Sequence, residues 1–136
     1  MSYFLDTNIV IYYLKGSNSK IMNKLLSNHP SDIKIPSIVK AELLYGVEKS
    51  QKRDYNLKII EQFLMTFEII PFDNDASEVY GKVRFELESI GRPIGPNDLI
   101  IASTVLSKKG ILITNNIREF ERIENLKIEN WTWVSS

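Results

Sequence analysis

Three carboxylates interrupt apolar sequence in a way that suits chemistry on a phosphate. Asp6 ends the run Tyr3-Phe4-Leu5, and a second apolar segment, Ile9 to Leu14, follows at once. Asp98 comes after a turn rich in Gly and Pro and directly before Leu99-Ile100-Ile101. Glu42 sits between Ala41 and Leu43 in a helical pattern. Each acid has an ordinary reading. Asp6, Thr7 or Asn8 can cap a helix. Asn97 can cap the later one, with Asp98 favoured in its first turn by the helix dipole. An acid on a helix, such as Glu42, usually faces water. Gathered at one place, however, the three would repel each other unless a cation joined them. Hard oxygen ligands of this kind suit Mg²⁺ or Mn²⁺. Such an ion can hold a phosphate, polarise its phosphorus–oxygen bond and acidify water.

Other chemistries find little support. The single histidine, His29, lies in a turn beside Pro30 and away from the acids, so a histidine-based triad is not indicated. There is no cysteine, which excludes disulfides and thiolate zinc sites. Neither a G-x-x-x-x-G-K-[ST] loop nor a G-x-G-x-x-G turn is present, so nucleotide binding of those kinds is excluded. An aspartyl nucleophile of the phosphatase kind is typically followed by a second Asp two positions on, and here that position is Asn8.

The elements that must position these acids alternate. Tyr3–Leu5, Ile33–Ile35, the Glu68-Ile69-Ile70 run and Ile111–Ile113 read as short strands. Between them, apolar residues recur at helical spacing: Ile21, Met22, Leu25 and Leu26; Ile38, Leu43, Leu44 and Val47; Leu57, Ile60, Phe63, Leu64 and Phe67; Val79, Val83, Leu87 and Ile90. Ser37 is the expected cap of the second of these helices, Asp73 or Asp75 of the fourth, and a further helix is expected from about Asp98 to Lys109. One or two closing strands are expected in Lys127–Val134. Alternation of this kind predicts an α/β domain around a parallel sheet. Ligands of such sheets bind beyond the carboxyl ends of the strands, where Asp6 and Thr114-Asn115-Asn116 would lie.

With 136 residues, 43% of them hydrophobic, the chain suits one domain with a real core. Seventeen basic and seventeen acidic residues cancel, so a polyanion would have to be held by a local patch. No apolar stretch approaches the ~20 residues of a membrane span, and Met1-Ser2-Tyr3 is not a signal-peptide start. A soluble, cytoplasmic protein is expected.

Four stretches, FLDTN (4–8), KAELLYGVEKS (40–50), GRPIGPNDLIIA (91–102) and ILITNNIREFERI (111–123), together resemble the PIN-domain ribonucleases. Within that family the likeness is to the VapC toxins of bacterial toxin–antitoxin pairs, and it runs in order through nearly the whole chain. The resemblance implies a single PIN-like three-layer α/β/α domain with a central parallel sheet over residues 1–136. It implies Asp6 and Asp98 as Mg²⁺ ligands, with Mn²⁺ able to substitute. Glu42 would complete the acidic cluster and help position the attacking water. Many PIN domains carry a fourth acid after the late strand; here the loop reads Asn115-Asn116, with Glu119 a turn later, so Asn116 or Glu119 fills that place.

The resemblance further implies RNA as substrate, with the GRPIGPND wording similar to the subgroup that cuts a transfer RNA in its anticodon stem-loop. It implies a cognate VapB-like antitoxin and a toxin homodimer. A groove lined by Tyr12, Tyr13, Leu43, Leu44, Tyr45 and the Leu57–Phe67 helix is the expected seat for a partner segment. Lys49, Lys52, Arg53, Arg84, Arg92, Arg118 and Arg122 are candidate phosphate contacts, most of them expected to be ordinary surface charges. Two alternatives stay open: a PIN-like binding module without activity, and a metal phosphohydrolase acting on a small molecule.

Overall fold

The computed structural model describes residues 1–132. Five short strands form one wholly parallel sheet in the order β3-β2-β1-β4-β5. They are β1 (Tyr3–Leu5), β2 (Ile33–Pro36), β3 (Glu68–Ile70), β4 (Ile111–Ile113) and β5 (Lys127–Glu129). Between β1 and β2 lie helices α1 (Thr7–Lys15) and α2 (Ser19–Ser27). Helices α3 (Ser37–Glu48) and α4 (Arg53–Thr66) join β2 to β3. Helices α5 (Asn74–Ser89) and α6 (Pro96–Ser107) carry the chain back to β4, and the single turn α7 (Ile117–Phe120) precedes β5. The chain steps from β1 through β2 to β3, then returns to the other side of β1. Right-handed crossovers therefore place α1–α4 on one face of the sheet and α5–α7 on the other.

The central strands are apolar because both faces are covered. Phe4, Leu5, Ile33, Ile35, Leu112 and Ile113 are all buried to within 1%. At the edges the pattern relaxes: Glu68 and both ends of β5 are exposed. The approach of β1 to the start of β4 is tight enough to require glycine at 110. A Cβ there would lie 2.4 Å from the Phe4 ring.

Several local expectations change in the three-dimensional setting. Helix α3 begins at Ser37, but Ser37 is its first residue and not its cap; the hydroxyl accepts the Phe72 N–H instead, 3.3 Å away. Helix α6 starts at Pro96, two residues earlier than expected, because proline at the first helical position needs no N–H partner. Its cap is Gly95, so Asn97 does not cap it. Asp73 caps α5, accepting the Ala76 N–H at 3.0 Å. Leu26 and Ile90, expected on buried faces, are 73% and 63% exposed; Leu26 lies in the last turn of α2, and Ile90 is the residue that closes α5. One closing strand forms, β5; a second, in the stretch reaching Val134, would lie partly outside the described residues. Among the described residues no helix is long and apolar enough to cross a membrane.

Candidate active site

The strand order reverses between β1 and β4, and a crevice opens beyond the carboxyl ends of strands at such a point. The register pairs Leu5 with Ile113, so the next residues, Asp6 and Thr114, emerge side by side. The Asp6 N–H continues the ladder to the Ile113 carbonyl at 2.9 Å. Its carboxylate then turns to cap α1, accepting the Thr7 N–H at 2.8 Å through Oδ1. The other oxygen, Oδ2, accepts the Thr114 hydroxyl at 2.7 Å. Burial pushes the Asp6 carboxyl up from its ordinary pKa; the bonds from Thr114 and Thr7 oppose this, and the charge of Glu42 adds to it. Asp6 is thus a cap and a candidate ligand at once.

Asp98 sits in the first turn of α6, half-buried. Desolvation, a hydrogen bond with Glu119 and the charges of Asp6, Glu119 and Glu42 push its pKa up to about 7. Glu119 moves the other way, held down chiefly by the Asn116 amide and then by Asp98. Their interaction therefore raises Asp98 and lowers Glu119. Asn116 joins them: its Nδ2 donates to Glu119 Oε2 at 2.8 Å and lies 3.5 Å from Asp98 Oδ2. The Asn116 N–H is itself bonded to the Thr114 hydroxyl at 3.0 Å. Glu42, from α3, accepts the Thr7 hydroxyl at 2.7 Å and faces the Asn97 amide at 3.4 Å.

All five residues singled out in the sequence therefore belong to one connected network: Asp6, Glu42, Asp98, Asn116 and Glu119. Three members were missed. Thr7 was read as part of a helix start and Asn97 as a cap, and Thr114 was not assigned a part. The readable signal for Thr114 is a hydroxyl, fully buried, directly after the all-apolar β4.

Among the described residues, no lysine or arginine forms an ion pair with Asp6, Glu42, Asp98 or Glu119. Nor are any three His, Cys, Asp or Glu side chains drawn close enough to hold an ion between them. The donor set still fits Mg²⁺, which commonly takes one or two carboxylates and completes its shell with water and phosphate oxygens. Burial is the largest cause of the raised pKa of Asp6 and Asp98, with the charge of neighbouring acids adding to it, and a divalent ion would favour the ionised form of both.

The candidate phosphate contacts divide. Arg53 is engaged by Glu48 and Asp54, and Arg84 by Glu88 and Tyr80. Lys49 lies over the Tyr45 ring, 4.9 Å from its centre. Arg122 donates to the Pro93 carbonyl at 2.9 Å, and its Nε is buried without an acceptor. Lys52, Arg92 and Arg118 are exposed. A groove lies between α1, α3 and α4, its lining including Glu42, Leu43, Val47 and Ile60; of the expected lining only Leu43 and part of the Leu57–Phe67 helix contribute, and Leu44 does not. Tyr12 and Tyr45 do not line it: Tyr12 accepts a bond from Asn115 on the site side, and Tyr45 is exposed. Tyr13 packs against Phe63 instead, with ring centres 5.6 Å apart.

Residues 3–126 match the PIN domain. A protein of Rickettsia felis named ribonuclease VapC2 is 46% identical over 132 residues, covering 96% of this chain and 98% of its own length. A protein of Shigella flexneri named tRNA(fMet)-specific endonuclease VapC is 38% identical, with 97% and 99% covered. Among solved structures, VapBC2 from Rickettsia felis bound to a DNA fragment from their promoter superposes with a TM-score of 0.88 at 44% identity, covering 96% of this chain and 99% of that one. The parallel sheet, the acids at its switch point and likeness over almost the full length converge: this chain belongs to the PIN-domain family, among the VapC ribonucleases.

Proposed function

We propose that this protein is the toxin of a toxin–antitoxin pair and acts as a Mg²⁺-dependent endoribonuclease on a transfer RNA, cutting within the anticodon stem-loop. The observation that carries this reading is the gathering of Asp6, Glu42, Asp98 and Glu119 at the switch point with no ion pair to any of them among the described residues. Asp6 and Asp98 would hold the ion. When bound, the ion supplies a Lewis acid for the scissile phosphate and lowers the pKa of water. Asn116 and Glu119 orient Asp98, and Glu42 is placed to align the attacking water. Transfer RNA as substrate is supported by the name of the Shigella flexneri relative. A loop is also where unstacked bases can be reached.

A VapB-like antitoxin is supported by the Rickettsia felis VapBC2 structure. The groove between α1, α3 and α4 suits one of its segments, because Glu42 is part of its lining and an occupant would meet that acid. A homodimer completes the proposed assembly.

The test is cleavage of total cellular RNA by purified, partner-free protein with Mg²⁺ or Mn²⁺, and with chelator. A discrete product that requires metal and is lost in Asp6→Asn and Asp98→Asn supports the reading. Folded protein that cuts no RNA under any of these conditions sinks it and favours a binding module.

A further inference from the structure

Glu42 is gripped from two sides by neutral donors from distant parts of the chain. Thr7 Oγ1 donates to Oε1 at 2.7 Å, and Asn97 Nδ2 approaches Oε2 at 3.4 Å. Thr7 directly follows Asp6, and Asn97 directly precedes Asp98. Local helix chemistry requires neither side chain. Asp6 caps α1. In α6, Gly95 is the cap, its carbonyl accepts the Leu99 N–H at 3.0 Å, and Pro96 has no N–H to satisfy.

We propose that Thr7 and Asn97 are positioning residues that act through Glu42. They tie α3 to the two elements delivering Asp6 and Asp98, so that three carboxylates from three helices keep one mutual geometry. A glutamate has three side-chain torsions, and leaving them free costs alignment, to which hydrolysis is steeply sensitive. Lysine or arginine could fix Glu42 equally well. Either would place a positive charge beside the acids and compete with a divalent ion. A hydroxyl and an amide fix the carboxylate and leave its charge intact.

This inference rests on the ribonuclease reading above, and a double-mutant cycle separates the two. RNA cleavage is followed in single turnover with enzyme in excess, for Thr7→Val, Thr7→Ser, Asn97→Ala and Glu42→Ala, alone and combined. Thr7→Val keeps the shape and loses the donor; the expected loss is about tenfold, the range for groups that orient a site's acids. Thr7→Ser should return to within about twofold of wild type, and Asn97→Ala, with its longer contact, should cost about threefold. In the Glu42→Ala background both losses should shrink to less than about twofold. Mn²⁺ affinity by calorimetry should stay within about threefold of wild type in Thr7→Val, because the pair orients Glu42 and not the ion's ligands.

Undiminished losses in the Glu42→Ala background, or failure of Thr7→Ser to restore the rate, overturn the proposal. So does a loss that appears mainly as weakened Mn²⁺ binding. Wild-type cleavage by Glu42→Ala overturns the use of Glu42 itself, whereas a crippled Glu42→Ala beside fully active Thr7→Val and Asn97→Ala overturns this inference alone. Asn97 is exposed, so its cycle stands even if Thr7→Val fails to fold.

Discussion

Two acidic regions of this molecule are built on opposite principles. On the surface, Arg53 links Glu48 and Asp54 at 2.8 and 3.0 Å, and Lys108 meets Asp73 at 2.7 Å. The hydrogen bond from Arg53 holds the Glu48 carboxyl below its usual pKa, and Lys108 with the Ala76 N–H does the same for Asp73. At the carboxyl edge of β1 and β4, the partners are hydroxyls and amides: Thr7, Thr114, Asn97 and Asn116. There burial pushes Asp6 and Asp98 up, while the Asn116 amide holds Glu119 down. The chain has seventeen Lys and Arg for seventeen Asp and Glu, so cations were not in short supply. Neutral donors aim a carboxylate without cancelling its charge, which is what a site for a cation requires.

If that contrast is functional, substitutions in the two regions should differ in kind. The largest effect is expected from Asp6→Asn and Asp98→Asn. On the proposal that both hold the ion, losing either forfeits several kcal/mol of transition-state stabilisation, a fall in RNA cleavage of about 10³-fold. A loss below about tenfold, read from cleavage time courses, would erase the distinction.

A smaller effect should appear in the stability of the metal-free protein. The Asp98 pKa is about 7 in the fold against an ordinary 3.8, so the folded state binds more protons than the unfolded one between those values. Its contribution to stability is present at low pH and is lost as pH rises towards and through 7. Melting in the presence of chelator should therefore fall from pH 5 to pH 8, and Mg²⁺ should restore it at pH 8. Asp98→Asn should melt about 3 °C higher than wild type at pH 8 without metal. A flat profile in wild type would break the comparison from the other side.

The smallest effects belong to the surface pairs. Lys108→Met should lower the melting temperature by roughly 3 °C or less. Arg53→Met should change neither melting nor Mn²⁺ affinity measurably.

The sequence disclosed the acids better than their partners. Asp6 and Asp98 were legible because strand ends and helix starts are local patterns, and Asp73 because its cap bond spans three residues. Asn97 was read as a cap by the same local reasoning. Its amide instead faces a residue 55 positions away, which only the packing of α6 near α3 brings within reach. Ser37 failed likewise, its hydroxyl bonding Phe72 across 35 positions. The parallel sheet was foreseen from the apolar strands, but alternation alone does not give strand order, and strand order creates the switch point. Tyr12 was assigned to the groove, but its hydroxyl meets the Asn115 amide, 103 positions away.

The bond from Thr114 to Asp6 spans 108 residues. A growing chain makes Asp6, Glu42 and Asp98 before it makes β4, and until β4 docks, β1 has a neighbour on one side only. Half-made copies on the ribosome therefore lack the crevice altogether. A chain lacking β4 would hold all three acids and have no second wall against which to gather them.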